Sequence, residues 1–198
     1  MKKGTWNIAG DLSLNLRNDD DNNNSTDYDN NTFNFSIAPK IGYALNDNLI
    51  LGLGLSYNYS KYDREIINES NTNTIFSKSN SYGILAYAKK FLPVSKKLAL
   101  HLAAETGFSR GNSNSENTNT DFNSDTRREN FSIIIRPGIN YRLTNKFLVH
   151  ANFGSLGYNN INEEFNASDK PNTENRNSNS FGFNFSTSSL YFGFTVLL

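Results

Sequence analysis

At 198 residues, with 19 basic and 19 acidic side chains and no formal net charge, the chain fits one domain and lacks the basic excess that nucleic-acid binding needs. It contains no cysteine, which excludes disulfides and thiolate metal sites, and no apolar run reaches the roughly 18 residues of a transmembrane helix. Apolar residues make up only 36%, yet aromatics reach 13%, so this is an ordered protein carrying polar segments and not a disordered one.

The chain starts Met1-Lys2-Lys3, as an export signal would, but Gly4-Thr5-Trp6-Asn7 follows where an apolar stretch is needed. The expectation is the mature form of an exported protein. Trp6, Ile8, Gly10, Leu12, Leu14 and Leu16 then alternate with polar or small residues, the period-2 pattern of a strand with one apolar face. A polar segment, 17–31, follows. Phe33, Phe35, Ile37, Pro39, Ile41 and Tyr43 form the apolar face of a second strand, and Leu45-Asn46-Asp47-Asn48 reads as a tight turn into a third, with Leu49, Leu51, Leu53, Leu55, Tyr57 and Tyr59 on one face.

A second polar segment covers 61–79. Tyr82 to Phe91 is a strand with poor alternation; the reading favours Leu85, Tyr87 and Phe91 on the apolar face and Ala86, Ala88 and Lys90 opposite. After a short connection at Leu92–Lys97, Leu98, Leu100, Leu102, Ala104, Thr106 and Phe108 define a clean fifth strand. A third polar segment, 110–128, leads to Phe131, Ile133, Ile135, Pro137, Ile139 and Tyr141, and Thr144-Asn145-Lys146 turns into Phe147, Val149, Ala151 and Phe153. The fourth polar segment is 159–179. In the closing stretch the apolar set moves from Phe181 and Phe183 to Phe192, Phe194 and Val196, so a bulge or bend is expected near Ser186–Ser189.

Four polar segments of 15 to 21 residues, read as loops, thus alternate with three tight turns. Loops that long are uncommon inside compact domains. Long loops on one side and short turns on the other mark transmembrane barrels, and strands of this length cross a bilayer obliquely. The expected fold is all-β, an eight-stranded antiparallel up-and-down transmembrane β-barrel of one domain, 1–198. A repeated "loop, strand, turn, strand" unit supports it: Asn34-Phe35-Ser36-Ile37 with Pro39 and Tyr43 echoes Asn130-Phe131-Ser132-Ile133 with Pro137 and Tyr141.

The apolar faces could point inward, as in a soluble lipocalin-like carrier, or outward to lipid. The opposite faces are rich in Gly, Ala, Ser and Asn with isolated charges, which suits a narrow filled lumen better than a solvated surface. Trp6, Tyr43, Tyr57, Tyr59, Tyr82, Tyr141 and Tyr158 sit near strand ends, where interface aromatics belong. The inward charges by parity are Asp11, Lys40, Lys90, Glu105, Arg136 and Arg142, with His101 and His150. Their signs roughly balance, as a paired plug requires.

On Gly4-Thr5-Trp6-Asn7-Ile8-Ala9-Gly10, Pro39-Lys40-Ile41-Gly42-Tyr43, Pro137-Gly138-Ile139-Asn140-Tyr141 and Leu190-Tyr191-Phe192-Gly193-Phe194, the chain resembles small outer-membrane barrels of the OmpA/OmpX type. That resemblance implies the Gram-negative outer membrane, surrounding lipid, insertion by the barrel-assembly machinery and no single activity. Such proteins end in an aromatic residue; this chain ends Val196-Leu197-Leu198. Some barrels of this kind deacylate lipids through a His-x-Ser pair, but His101 and His150 are followed by Leu102-Ala103 and Ala151-Asn152. No catalysis, cofactor or metal is expected. Asp19-Asp20-Asp21 with Asp27 and Asp29 lacks the spacing and turn glycine of a calcium loop. The expected role of this monomer is structural or surface interaction (adhesion, defence or envelope integrity), its long segments meeting any extracellular partner, with a narrow channel or transporter for small solutes as the alternative and a soluble lipocalin-like carrier as the second.

Overall fold

The computed structural model describes residues 2–23, 26–68, 71–120, 122–167, 173–184 and 190–198. Among the described residues ten strand segments follow one another: β1 (Trp6–Asn23), β2 (Thr26–Asn46), β3 (Leu49–Asn68), β4 (Asn71–Pro93), β5 (Leu98–Asn117), β6 (Phe122–Arg142), β7 (Phe147–Phe153), β8 (Ser155–Ala167), β9 (Glu174–Asn184) and β10 (Leu190–Leu197). All pairings are antiparallel, and β1, β2, β3, β4, β5, β6, β7 and β10 close into a ring of eight. Beyond the ring β6 continues beside β8, and β8 beside β9.

The register fixes the barrel's geometry. One rung runs from Leu100 through Ile139, Ala151, Phe192, Leu12, Ile37, Tyr57 and Tyr82, and returns to β5 at Arg110. A full circuit therefore climbs ten residues of β5. At ~3.3 Å per residue against eight steps of ~4.8 Å, the strands tilt about 40° from the barrel axis. With that climb taken into account, the outward apolar residues begin at one level (Trp6, Tyr43, Leu92, Tyr141, Phe147, Val196) and end at another (Leu16, Phe33, Tyr59, Tyr82, Phe108, Phe131, Tyr158, Phe181). The two levels lie about ten residues apart, or ~25 Å along the axis, the height of a barrel's lipid-facing band.

Leu14, Leu53, Leu55, Ile84, Phe181 and Phe183 are each more than half exposed on this band. Trp6 and Tyr43 stack edge to face at its lower rim, their centroids 5.1 Å apart. Tyr59, Tyr82 and Tyr158 mark the upper rim, and Tyr57 lies one step inside it. The interface aromatics thus divide into two girdles.

Two expectations change. The polar segments at 17–31, 61–79, 110–128 and 159–179 are largely strand: Asn18 pairs with Asn31, Lys61 with Lys78, Ser113 with Thr126 and Asn162 with Asn177. Above the band both faces meet water, so the apolar alternation that reveals a strand disappears while the backbone ladder goes on. Side chains reinforce it: Ser60 donates to Asn34 at 2.6 Å, Tyr158 to Asn179 at 2.6 Å and Asn177 to Asn162 at 2.5 Å.

Strand β4 is reversed from the expected orientation. Leu85, Tyr87, Lys89 and Phe91 face the lumen, while Ile84, Ala86, Ala88 and Lys90 face out. The base of the lumen is itself apolar, an Ala44, Ile50, Tyr87 and Phe91 cluster, so an apolar face there does not imply lipid. Lys90, expected inward, is exposed near the lower rim, a level at which the apolar stem of a lysine can lie along the band with its charge at the interface.

Between β7 and β8 lies a bulge that the alternation alone does not predict. Gly138 pairs with Asn152 and Ile135 with Leu156, so two residues of β6 oppose three of the partner, and Gly154 takes φ 73°. The bulge swaps which parity faces inward, from Asn152 below to Gly157 above. The closing stretch changes parity too: on β10 Gly193 and Thr195 line the lumen beside His150 and Leu148, while on β9 Gly182 pairs with Gly157. The bend expected at Ser186–Ser189 lies outside the described residues.

Above Leu12 the described residues do not complete the ring. β1 pairs with β10 only from Asn7 to Leu12, and among the described residues no strand pairs with β9 on the side away from β8.

Candidate functional site in the lumen

The lumen is built in layers. At the turn side Ala44, Ile50 and Phe91 pack with Tyr87 as an apolar floor, and Leu148 and Leu197 are buried at the same level. Above them lie Asn7, Asn140, His101 and His150, all at most 4% exposed. His101 Nε2 is 2.7 Å from Asn152 Oδ1 and its Nδ1 2.6 Å from Asn140 Nδ2. The two imidazoles meet edge to face at 6.1 Å.

Two glycines make room for these rings. His101 on β5 reaches Asn152 on β7 by lying over Gly138 of the intervening β6, where a Cβ would overlap its imidazole. His150 on β7 reaches Asp11 on β1 over Gly193 of β10 in the same way. Tyr87 lies across Gly42 and Gly52, its hydroxyl 3.5 Å from the Asn7 amide.

Near the middle of the lipid-facing band a chain of charges crosses the lumen. His150 Nε2 is 2.6 Å from Asp11 Oδ1, Asp11 Oδ2 2.7 Å from Lys40 Nζ, Lys40 Nζ 2.5 Å from Glu105 Oε1, and Glu105 Oε2 3.1 Å from Arg136 Nε. Asp11, Lys40 and Glu105 side chains are 10–14% exposed. Lys40 Nζ also lies 5.6 Å from the Tyr87 ring centroid. Charges at this depth are expensive unless each meets an opposite partner, and alternating signs supply one to every member. A cavity of about 200 Å³ opens above them toward the long hairpins, lined by Ser36, Ser56, Asn58 and Ser132.

Of the eight residues expected in the polar lumen, Asp11, Lys40, Glu105, Arg136 and His150 join one chain and His101 lies beside it. Arg142 stands apart at the turn-side mouth, its backbone N–H donating to Lys97 O at 2.8 Å. Lys90 faces out, and Lys89, 8% exposed, takes the inward place. Asn7, Tyr87, Asn140 and Asn152 also belong to the network. Parity places the three asparagines inward in the sequence; a search confined to charges and histidines passes them over.

The autotransporter β-domain family model matches residues 13–164. No curated protein sequence matches the chain. Among solved structures, Neisserial surface protein A is similar at 15% identity, with 98% of this chain and 99% of that one covered and a TM-score of 0.43. A major outer membrane protein from Thermus thermophilus is similar at 8% identity, with the same coverages and a TM-score of 0.49. The ferric yersiniabactin uptake receptor FyuA from Yersinia pestis shares 12% identity over 91% of this chain at a TM-score of 0.41, and this chain spans 31% of that receptor's length.

Proposed function

Because the chain belongs to the autotransporter β-domain family, an integral outer-membrane β-barrel family, we propose that it is a closed, non-conducting barrel that holds four long β-hairpins at the cell surface. The observation that carries this reading is the charge chain from His150 to Arg136, which joins β7, β1, β2, β5 and β6 across the lumen over a floor of packed apolar side chains. An eight-stranded ring is just wide enough for side chains to fill, and here the charge chain and the floor beneath it fill the part below the cavity. A ring of eight strands with short turns on one side also supports kinship with OmpA/OmpX-type barrels.

The protein acts as a monomer inserted by the barrel-assembly machinery, and its Asn-, Ser- and Tyr-rich hairpins supply adaptable contacts for an extracellular partner. It is not an enzyme on this reading: both imidazoles bond to Asn or Asp partners in the lumen. The test is conductance of the purified full chain in planar bilayers. Silence at all applied voltages is expected, and a steady current that changes with Arg136→Ala or Glu105→Ala would overturn the closed barrel in favour of a narrow channel.

A further inference from the structure

Charge is unevenly distributed around the upper rim. Following each strand outward from its last apolar residue, the first outward-facing charge is basic on three adjacent strands: Lys61 on β3, Lys78 on β4 and Arg110 on β5. On β1, β2, β6 and β8 it is acidic: Asp20, Asp29, Glu129 and Glu164.

Within the basic sector Lys61 and Lys78 are direct cross-strand partners. Like charges in that position repel, so the pair costs stability unless an anion joins it. Both ammonium groups sit over one ring, that of Phe76, at 5.0 and 4.5 Å from its centroid. Lys61 bonds Asp63 Oδ2 at 2.6 Å, but Lys78 has no carboxylate partner among the described residues. Arg110 is held only loosely by Glu129, at 3.7 Å. Asp63 and Phe76 lie higher up the hairpin than the lysines, so the cations come first above Tyr59 and Tyr82. That is the depth of lipid phosphates when the apolar band spans the hydrocarbon.

We propose that Lys61 and Lys78, with Arg110 beside them, form a binding site for the phosphate of an outer-leaflet lipid headgroup, whose acyl chains lie along the apolar band below. One phosphate between the lysines relieves their repulsion and gives each a charge-assisted hydrogen bond. The inference rests on the barrel's placement in the outer membrane and is independent of whether the lumen conducts.

The full chain in neutral detergent is incubated with lipid A carrying two phosphates, with its dephosphorylated form, or with inorganic phosphate, and bound species are counted by native mass spectrometry. Wild type retains the phosphorylated lipid; Lys61→Gln/Lys78→Gln weakens retention about tenfold or more, while Lys96→Gln/Lys97→Gln on the turn side leaves it unchanged. Folding is checked by the mobility shift of unheated samples, and should the double variant misfold, Lys78→Gln alone and the conservative Lys61→Arg/Lys78→Arg decide the matter. Equal retention by Lys61→Gln/Lys78→Gln or by Lys78→Gln, equal binding of the dephosphorylated lipid, or displacement by inorganic phosphate at matching concentration would each overturn the site.

Discussion

Lys40 Nζ lies 2.5 Å from Glu105 Oε1 although their strands, β2 and β5, are separated in the ring by β3 and β4. The contact therefore passes through the lumen and not along the wall. Glu105 also holds Arg136, so its loss takes a carboxylate from two cations at once and leaves Asp11 as the remaining ion-pair partner of Lys40.

Glu105→Gln should cost about 3–5 kcal/mol, because removing one partner of a buried pair leaves uncompensated charge. Urea unfolding of the barrel in lipid vesicles measures this. In a double-mutant cycle with Lys40→Met, the coupling should come out at about 1–3 kcal/mol. A coupling near zero would mean that the two charges are screened by water and the chain does not seal the lumen.

The glycines beneath the histidines offer a steric test. A Cβ at Gly193 would overlap His150 and the Gly10 carbonyl, whereas a Cβ at Gly10 meets nothing within 4 Å. Gly193→Val should destabilise the barrel by ~2 kcal/mol or more, since the imidazole cannot yield without releasing Asp11. Gly10→Ala should stay within about 0.5 kcal/mol. Equal effects at the two sites would remove the case for His150 packing over β10.

The upper edges of β1 and β9 pose a different question. Unpaired backbone groups at membrane depth each cost several kcal/mol, so in a bilayer the two edges should meet. Continuing the climb of the ring sets Asn18 opposite Phe181, a pairing that keeps both side chains outward. Asn18→Cys with Phe181→Cys should cross-link under mild oxidation in vesicles, and Asn18→Cys with Asn177→Cys should not. Cross-linking confined to the second pair would require another register.

Much of this architecture was legible in the chain. Leu98–Phe108 shows why: five of the six alternate residues are apolar, lipid demands such a face, and the turn at Leu92–Lys97 bounds the strand. The lumen was legible wherever a small, polar face stood opposite, as at Asp11, Lys40, Glu105, Arg136 and His150. It failed at Lys89 and Lys90, because the lumen floor around Tyr87 and Phe91 is as apolar as the outside and parity loses its meaning there. The hairpins resemble loops in sequence for a related reason: Asn112 and Ser113 are both polar and neither is buried, so no periodicity records that they sit on a strand. The Gly154 bulge left no signal beyond a single glycine between Phe153 and Ser155.

The hairpins can be shortened in register. Replacing residues 20–29 by Asn-Gly, the pair suited to a two-residue hairpin turn, removes paired strand above the band and leaves Trp6–Leu16 with its partners. The shortened chain should still show the unheated mobility shift of a folded barrel, with its unfolding midpoint in urea nearly unchanged. Failure to fold in detergent would mean that the hairpins stabilise the barrel and do not merely extend it.

The central claim, an apolar face toward lipid and a sealed face toward the lumen, meets its most direct test at two neighbouring alanines of β5. Ala103 is 4% exposed inside and Ala104 faces out. Each is changed to cysteine and the barrel is reconstituted in vesicles. The account predicts that Ala104→Cys, carrying a fluorophore, is quenched by a lipid-phase nitroxide and is untouched by a water-soluble thiol reagent, while Ala103→Cys is reached by neither. Labelling of Ala103→Cys from water would show an open lumen, and labelling of Ala104→Cys from water would show that the apolar face does not meet lipid.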